Sequence, residues 1–470
     1  MFRHSCLTLV LLASLLSVVA PTHGDPPPGA DDWKYDVVHR KEGLPLIGLV
    51  LEQTPSAVLM RCVSRRPGSP TVMIRESIPT REIDRVELLG PEEREKLQQR
   101  LKNLTKEREV LSAQLKQLDP TTQTTDPAGA DQLTLAPVAW VDADRGPALT
   151  YKGTHFQLIS NSREAVVQLV AIQLEQVYAA YARALPPRTQ TGQPTVILVT
   201  CRMTDYQAIV RARGGNFLNP AFYDVEKNQI VCGTELERLA DELKQTRKVH
   251  AKTLGEIEER RAELNELYKN KVPPELLLAF GEDQKRIKAR EDLNVQLFQR
   301  ARQRLFQRLY HEAFHAYLAT FVFPPDEGEV PRWLNEGLAQ VFETAIVEVG
   351  ELRIGHVEKE RLEAIRTAAI HGTLVPLSEL LRSTEKDFLV AHAGEKQAAD
   401  RMYLTSWGLA HYLSFDRKLL ARPALTNYVR QIKRGTDPLD AFSELVGHPL
   451  GKFEKEFQEY LQRLRPDMKN

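Results

Sequence analysis

Eight consecutive residues restrict this chain more than any others: Tyr310-His311-Glu312-Ala313-Phe314-His315-Ala316-Tyr317. They carry the pattern H-E-x-x-H inside an apolar stripe of Leu305, Phe306, Leu309, Ala313, Phe314, Ala316, Tyr317 and Leu318, which holds no Gly or Pro. Such a stripe predicts a buried helix, and residues four apart on a helix share one face. His311 and His315 therefore point the same way, one turn apart. Burying two imidazoles and a carboxylate together is costly without a compensating partner. A metal ion is such a partner, since two histidines so placed can hold two corners of a tetrahedral zinc site. Glu312, one step round the helix, sits beside the open corner, where a base for a bound water belongs. With twelve histidines in 470 residues, chance matches arise in only about a few of every hundred such chains.

A zinc enzyme needs a third protein ligand and an open fourth position. Pro331-Arg332-Trp333-Leu334-Asn335-Glu336-Gly337-Leu338-Ala339 supplies one. With Trp333, Leu334, Leu338, Ala339, Val341 and Phe342 this reads as a mostly buried helix, so a carboxylate in its middle needs a reason. Glu336 as ligand is that reason, with Glu343 on the same helix as the fallback.

The length allows two or three domains. Basic and acidic residues balance at 63 each, which removes any bulk electrostatic case for nucleic acid or an anionic membrane. Residues 7–20, apolar and preceded by Arg3 and His4, are too short to span a bilayer and read as a secretory signal peptide over residues 1–24. That places the protein outside the cell, in the periplasm or in the cell envelope, with no membrane span after removal of the signal. Cys62, Cys201 and Cys232 remain, and an odd count argues against a disulfide scaffold. Cys201 and Cys232 each close a strand-like run, so they either pair or stay free.

Five short β-prone runs between residues 33 and 90 predict a small barrel-like β module: Tyr35–His39, Ile47–Leu51, Ala57–Val63, Thr71–Ile74 and Ile83–Leu88. Residues 91–119 come next as a helix with Leu97, Leu101, Leu104, Leu111, Leu115 and Leu118 at heptad spacing, interrupted by Arg108. That is a short coiled-coil seam, open to self-association. Residues 120–136 read as a linker. An α/β unit over 137–233 contains strands His155–Ser160 and Thr195–Thr200, a helix through Val166–Tyr181, a short helix Asp205–Arg211, a loop at Gly214-Gly215 and two strands joined by a turn over 221–233. Residues 234–304, dense in charges of both signs, predict a helical hairpin with a break at Val272-Pro273-Pro274, read as a solvated arm. Residues 305–470 form the helical lobe with the motif. The fold class is α+β.

H-E-x-x-H followed about twenty residues later by W-L-N-E-G-x-A resembles the gluzincin clan of zinc metallopeptidases, its aminopeptidase branch above all. The resemblance covers roughly residues 137–233 and 305–470, and implies a small mixed sheet above a helical catalytic lobe. It implies zinc on His311, His315 and Glu336, with Glu312 as the catalytic carboxylate. The family also places a Tyr some sixty-odd residues after the third ligand to steady the oxyanion, and Tyr403 matches in spacing and flanks; His411 is the alternative. The whole layout is similar to secreted bacterial peptidase-like proteins of uncharacterised function.

The chain also departs from the family. It has no G-A-M-E-N-type stretch for a substrate's amino terminus, and Glu226 is offered as a candidate anchor in its place. Aminopeptidase and endopeptidase therefore both stay open. Gln340 stands where some gluzincins keep an Asp that orients a zinc-bound His, which implies an altered support for the metal. The expected function is hydrolysis of a peptide or protein substrate by a zinc-activated water. The alternative is a non-catalytic envelope or assembly protein that retains the fold, and a zinc hydrolase acting on other substrates is a third.

Overall fold

The structure, a computed structural model, describes residues 33–465 apart from 42, 67–68, 118–132, 141–146, 190–192, 214–218, 328, 345, 349–350, 354–356 and 389–392. The expected signal peptide, the loop at Gly214-Gly215 and most of the expected linker lie outside the described residues. The described chain is α+β, with two sheets and a large helical lobe. No described helix is long and apolar enough to cross a membrane.

The first five runs form strands as the turn signals predict: β1 Asp36–Arg40, β2 Leu46–Gln53, β3 Ala57–Ser64, β4 Val72–Pro79 and β5 Ile83–Glu87. Alternate residues Val38, Leu46, Val50, Val58, Met60 and Ile78 turn inward to one small core. Asp36 ties the module to helix α1 (Pro91–Gln117). Its buried carboxylate accepts from the Val50 and Leu89 amides at 2.8 Å each and pairs with Arg94, the fourth residue of that helix. Leu97, Leu101 and Leu104 of the heptad seam are buried within this same chain. Arg108, which interrupts the seam, is buried too and donates to the Thr71 carbonyl. Leu111, Leu115 and Leu118 lie outside the described side chains.

The module does not end at residue 90 as the sequence predicts. Its sheet has seven strands in the order β12-β13-β4-β3-β2-β1-β5. The added hairpin, β12 Ile346–Glu348 and β13 Glu351–Arg353, comes from the helical lobe, and β13 runs parallel to β4 with Leu352 opposite Ile74. An open edge at β4 is what a lone five-strand module would have to protect; here distant residues cover it. From Lys34 onward the chain is one compact unit.

The second sheet has the order β10-β11-β9-β8-β7-β6. Two of its strands, β6 Leu135–Ala139 and β7 Pro147–Lys152, were not expected from the sequence; β6 takes in the end of the expected linker. Next come β8 Phe156–Ser160, helix α2 Glu164–Ala184, β9 Thr195–Thr200, helix α3 Met203–Ala212, β10 Ala221–Asp224 and β11 Gln229–Gly233. Strands β8, β9 and β11 run parallel, and β10 returns antiparallel at the edge. Helix α2 buries Val167, Val170, Leu174, Val177, Tyr178 and Tyr181 in the main core, packing on α5 as well as on β7 and β4.

The hairpin is α4 Leu236–Leu267 and α5 Pro274–Tyr317. The boundary expected at residue 304/305 does not exist: α5 runs 44 residues from the tip of the arm through the H-E-x-x-H turn without a break. His250 of α4 contacts Glu291 of α5 across the hairpin, where Arg247 also pairs at 3.1 Å. The helical lobe continues with α6 Arg332–Glu343, α7 Lys359–His371, α8 Leu377–Leu380, α9 Ala393–His411, α10 Pro423–Lys433, α11 Pro438–Val446 and α12 Leu450–Arg463. Cys62, Cys201 and Cys232 are free thiols, so the two cysteines of the second sheet are not paired.

Candidate metal centre

Packing holds the motif turn of α5 in place before any ligand is considered. The Tyr181 hydroxyl donates to the Tyr310 carbonyl at 2.7 Å and the Tyr317 hydroxyl to the Leu185 carbonyl at 2.6 Å. Phe314 stacks on Phe342 of α6 with ring centres 5.1 Å apart. The adjoining face of α5 presents His311 and His315, their rings 4.7 Å apart and nearly perpendicular.

Helix α6 starts after Pro331 and meets α9 at closest range through Gly337. A Cβ there would lie 2.4 Å from the Ser406 carbonyl oxygen and 2.9 Å from Ala410 Cβ. The Gly of N-E-G is therefore the point where two backbones touch, and it sets Glu336 at the depth of the histidines. Glu336 is only 2 % exposed. Its Oε2 lies 3.4 Å from His311 Nε2, and its Oε1 lies 3.7 Å from His315 Nε2. One donor atom from each of the three residues falls within 4.8 Å of the others, and the group could hold a metal ion.

The outer ring nitrogens are occupied. His311 Nδ1 lies 2.8 Å from Glu343 Oε2, and His315 Nδ1 lies 2.8 Å from Asn335 Oδ1. Neither oxygen can donate, so each Nδ1 carries the proton and each Nε2 is left facing inward, as metal binding requires. Glu343 is thus a support for His311 rather than a fallback ligand, and Arg361 holds its other oxygen at 2.7 Å. Gln340 supports no histidine. Its amide donates to the Tyr403 carbonyl at 3.1 Å and the Glu336 carbonyl at 3.3 Å, tying α6 to α9.

The charges reflect this arrangement. Burial opposes a charge on His311, yet Glu336 and Glu343 outweigh it and hold its pKa well above the usual value. Burial pulls His315 down. Burial also works against the Glu336 carboxylate, but His315, His311 and Arg332 bring its pKa to about 2; Arg332 Nη2 lies 2.8 Å from Oε1. Glu343 is lowered in the same way by His311 and Arg361, against its burial.

Tyr403 on α9 is half-buried against Phe388. Burial, then the Glu336 charge, push its pKa up to about 12, while Arg332 beside the phenol pulls the other way. It stays a hydroxyl at neutral pH. Glu312 is partly exposed and has no hydrogen bond or ion pair among the described residues. Its charge is felt at Tyr403, His315, Tyr206 and Cys232.

The structure thus gathers His311, His315, Glu336, Glu312 and Tyr403 at one place. It does not bring His411 or Glu226 there. His411 is buried with Nδ1 2.7 Å from the Tyr460 hydroxyl, and Glu226 is exposed in the β10–β11 turn. Sequence reasoning missed Arg332, Asn335 and Arg361. Arg332 and Asn335 share α6 with Glu336, a signal that could have found them; Arg361 carried none. Compared with known proteins, the chain matches over residues 307–438 a family described as "Protein of unknown function (DUF1570)". That span runs from the motif turn past Tyr403 and holds every residue of the candidate centre. No curated protein matches the chain.

Proposed function

We propose that this chain is a zinc-dependent metallopeptidase of the gluzincin type, exported through its apolar leader, with the N-terminal strands as a barrel-like accessory module. One observation carries the reading. Two histidines have their outer nitrogens bound and their inner nitrogens turned on a buried glutamate, beside a second glutamate left without a partner. Nitrogen–oxygen separations of 3.4 and 3.7 Å are close to the ~3.4 Å edge of a tetrahedron with bonds of about 2.1 Å. The two-imidazole, one-carboxylate donor set is that of catalytic zinc.

His311, His315 and Glu336 would hold the ion, which when bound supplies the Lewis acid that polarises a water and the scissile carbonyl. Glu312 accepts the proton of the attacking water and returns it to the leaving amine. Tyr403, neutral and placed beside Glu336 and Arg332, donates its hydroxyl to the oxygen on which charge develops. Glu343 and Asn335 keep the two imidazoles in the tautomer that leaves Nε2 free.

The test is digestion of a mixed peptide library by the zinc-loaded chain, with Glu312→Gln in parallel and products read by mass spectrometry. Cleavage by the wild type alone is expected. Loss of single N-terminal residues against internal cuts separates aminopeptidase from endopeptidase. Equal cleavage by the variant would remove Glu312 from the mechanism, and no cleavage by folded, zinc-bound wild type would favour a non-catalytic envelope protein.

A further inference from the structure

We propose that Arg332 is a positioning residue for the metal: it keeps one oxygen of Glu336 back from the ion and offsets that ligand's charge. The role rests on the zinc site proposed above and on no particular substrate.

Both carboxylates that face His311 are used in the same way. Glu343 turns Oε2 to Nδ1 of that ring at 2.8 Å and gives Oε1 to Arg361 at 2.7 Å. Glu336 turns Oε2 to Nε2 at 3.4 Å and gives Oε1 to Arg332 at 2.8 Å. Each has one oxygen on the histidine and the other on an arginine. Oε1 of Glu336 also lies 3.7 Å from His315 Nε2. Without Arg332, both oxygens would be open to an ion held between the two rings.

Helix electrostatics does not account for this arginine. Arg332 is the first residue of α6, where the positive end of the helix dipole disfavours a cation. Standing four residues before Glu336, it also makes the pair in the weaker of the two i,i+4 orders. Its buried Nε finds no acceptor among the described residues, and its one ion pair among them is with the buried Glu336. The guanidinium is therefore placed by the ligand it serves.

The consequence is a matter of charge. An unpaired carboxylate ligand gives its full attraction to a metal ion. Paired with a guanidinium, which does not lose its proton, it gives less, and the guanidinium repels the dication besides. The ion is held less tightly and keeps more of its positive charge for the water it polarises.

The experiment measures metal binding by the full chain, with folding checked by circular dichroism. Wild type, Arg332→Gln and Arg332→Lys are titrated with zinc against a chelator, and with cobalt(II) by visible absorption. Loss of the charge in Arg332→Gln should tighten zinc by about ten-fold, the opposite of what losing a structural support of the centre does. Its cobalt bands should weaken as Glu336 takes the ion with both oxygens and raises the coordination number. Arg332→Lys keeps the charge and should return zinc affinity most of the way to that of wild type. Unchanged or weaker zinc binding in Arg332→Gln overturns the proposal and leaves the zinc site standing, whereas no zinc in the wild-type chain overturns both. Should Arg332→Gln not fold, Arg332→Lys decides: zinc affinity like that of wild type upholds the role of the charge, and a clear loss overturns it.

Discussion

The two halves of α5 show how differently one helix can be used. From Pro274 to about residue 297 it is an arm. Leu276, Leu278, Leu293 and Leu297 are exposed there, and its polar contacts are pairs such as Arg286 with Asp283 on its own surface and Glu291 with Arg247 of α4. From Phe298 to Tyr317 one face of the same helix is buried in the main core, and His311 and His315 each have a named partner there. The arm tolerates change because water solvates either state of an exposed side chain. The motif turn does not, because His311 and His315 have lost most of their water and depend on named partners.

Substitutions can break this contrast in order of size. Glu312→Gln is expected to lower peptide turnover by about 10²–10⁴-fold, with zinc content unchanged by elemental analysis; comparable loss from an arm substitution such as Leu278→Ser would erase the distinction. Glu343→Ala should weaken zinc binding by about 10–100-fold in a competition titration with a chelator, since His311 loses the acceptor that sets its tautomer.

Proton linkage sharpens the same point. His311 is protonated in the metal-free site because its pKa is raised by Glu336 and Glu343, whose attraction exceeds the burial penalty. Metal must expel that proton from Nε2, so affinity should rise with pH until the raised pKa is passed. Calorimetry in buffers of different ionisation heat should find about one proton released per ion at neutral pH. No release would mean that His311 is neutral in the free protein.

The smallest effects, in stability, have opposite signs in the two regions. Gly337→Ala drives a Cβ into the Ser406 carbonyl and should cost about 1–3 kcal/mol in thermal or denaturant unfolding. Gly281→Ala, in the arm half of α5, meets nothing within 4 Å and should gain about 0.5–1 kcal/mol. Equal responses would show that the arm is packed as tightly as the centre.

Much of the centre was legible because its spacing is local. His311 and His315 share a face by helical period alone, and Glu336 betrays itself as a carboxylate on an otherwise apolar helix. Glu343 was seen only as a fallback to Glu336, since seven residues along α6 it can reach the same side. Which nitrogen it meets depends on how α6 crosses α5. Arg361 carried no signal, because an arginine reads as a surface residue until its neighbours are known. The β12–β13 hairpin was missed for the same reason, being three-residue strands that exist only through β4.

By itself the sequence determined the α+β class, the five N-terminal strands, the helical arm and the three residues able to share a metal ion. Each is written in a repeat of two or 3.6 residues, or in burial that demands a partner. Only the tertiary structure decided that the motif helix is the arm continued, that a distant hairpin completes the first sheet, and which oxygen holds each imidazole. Those are contacts between residues far apart in the chain. Their energies come from close approach, such as that at Gly337, and no local pattern encodes it.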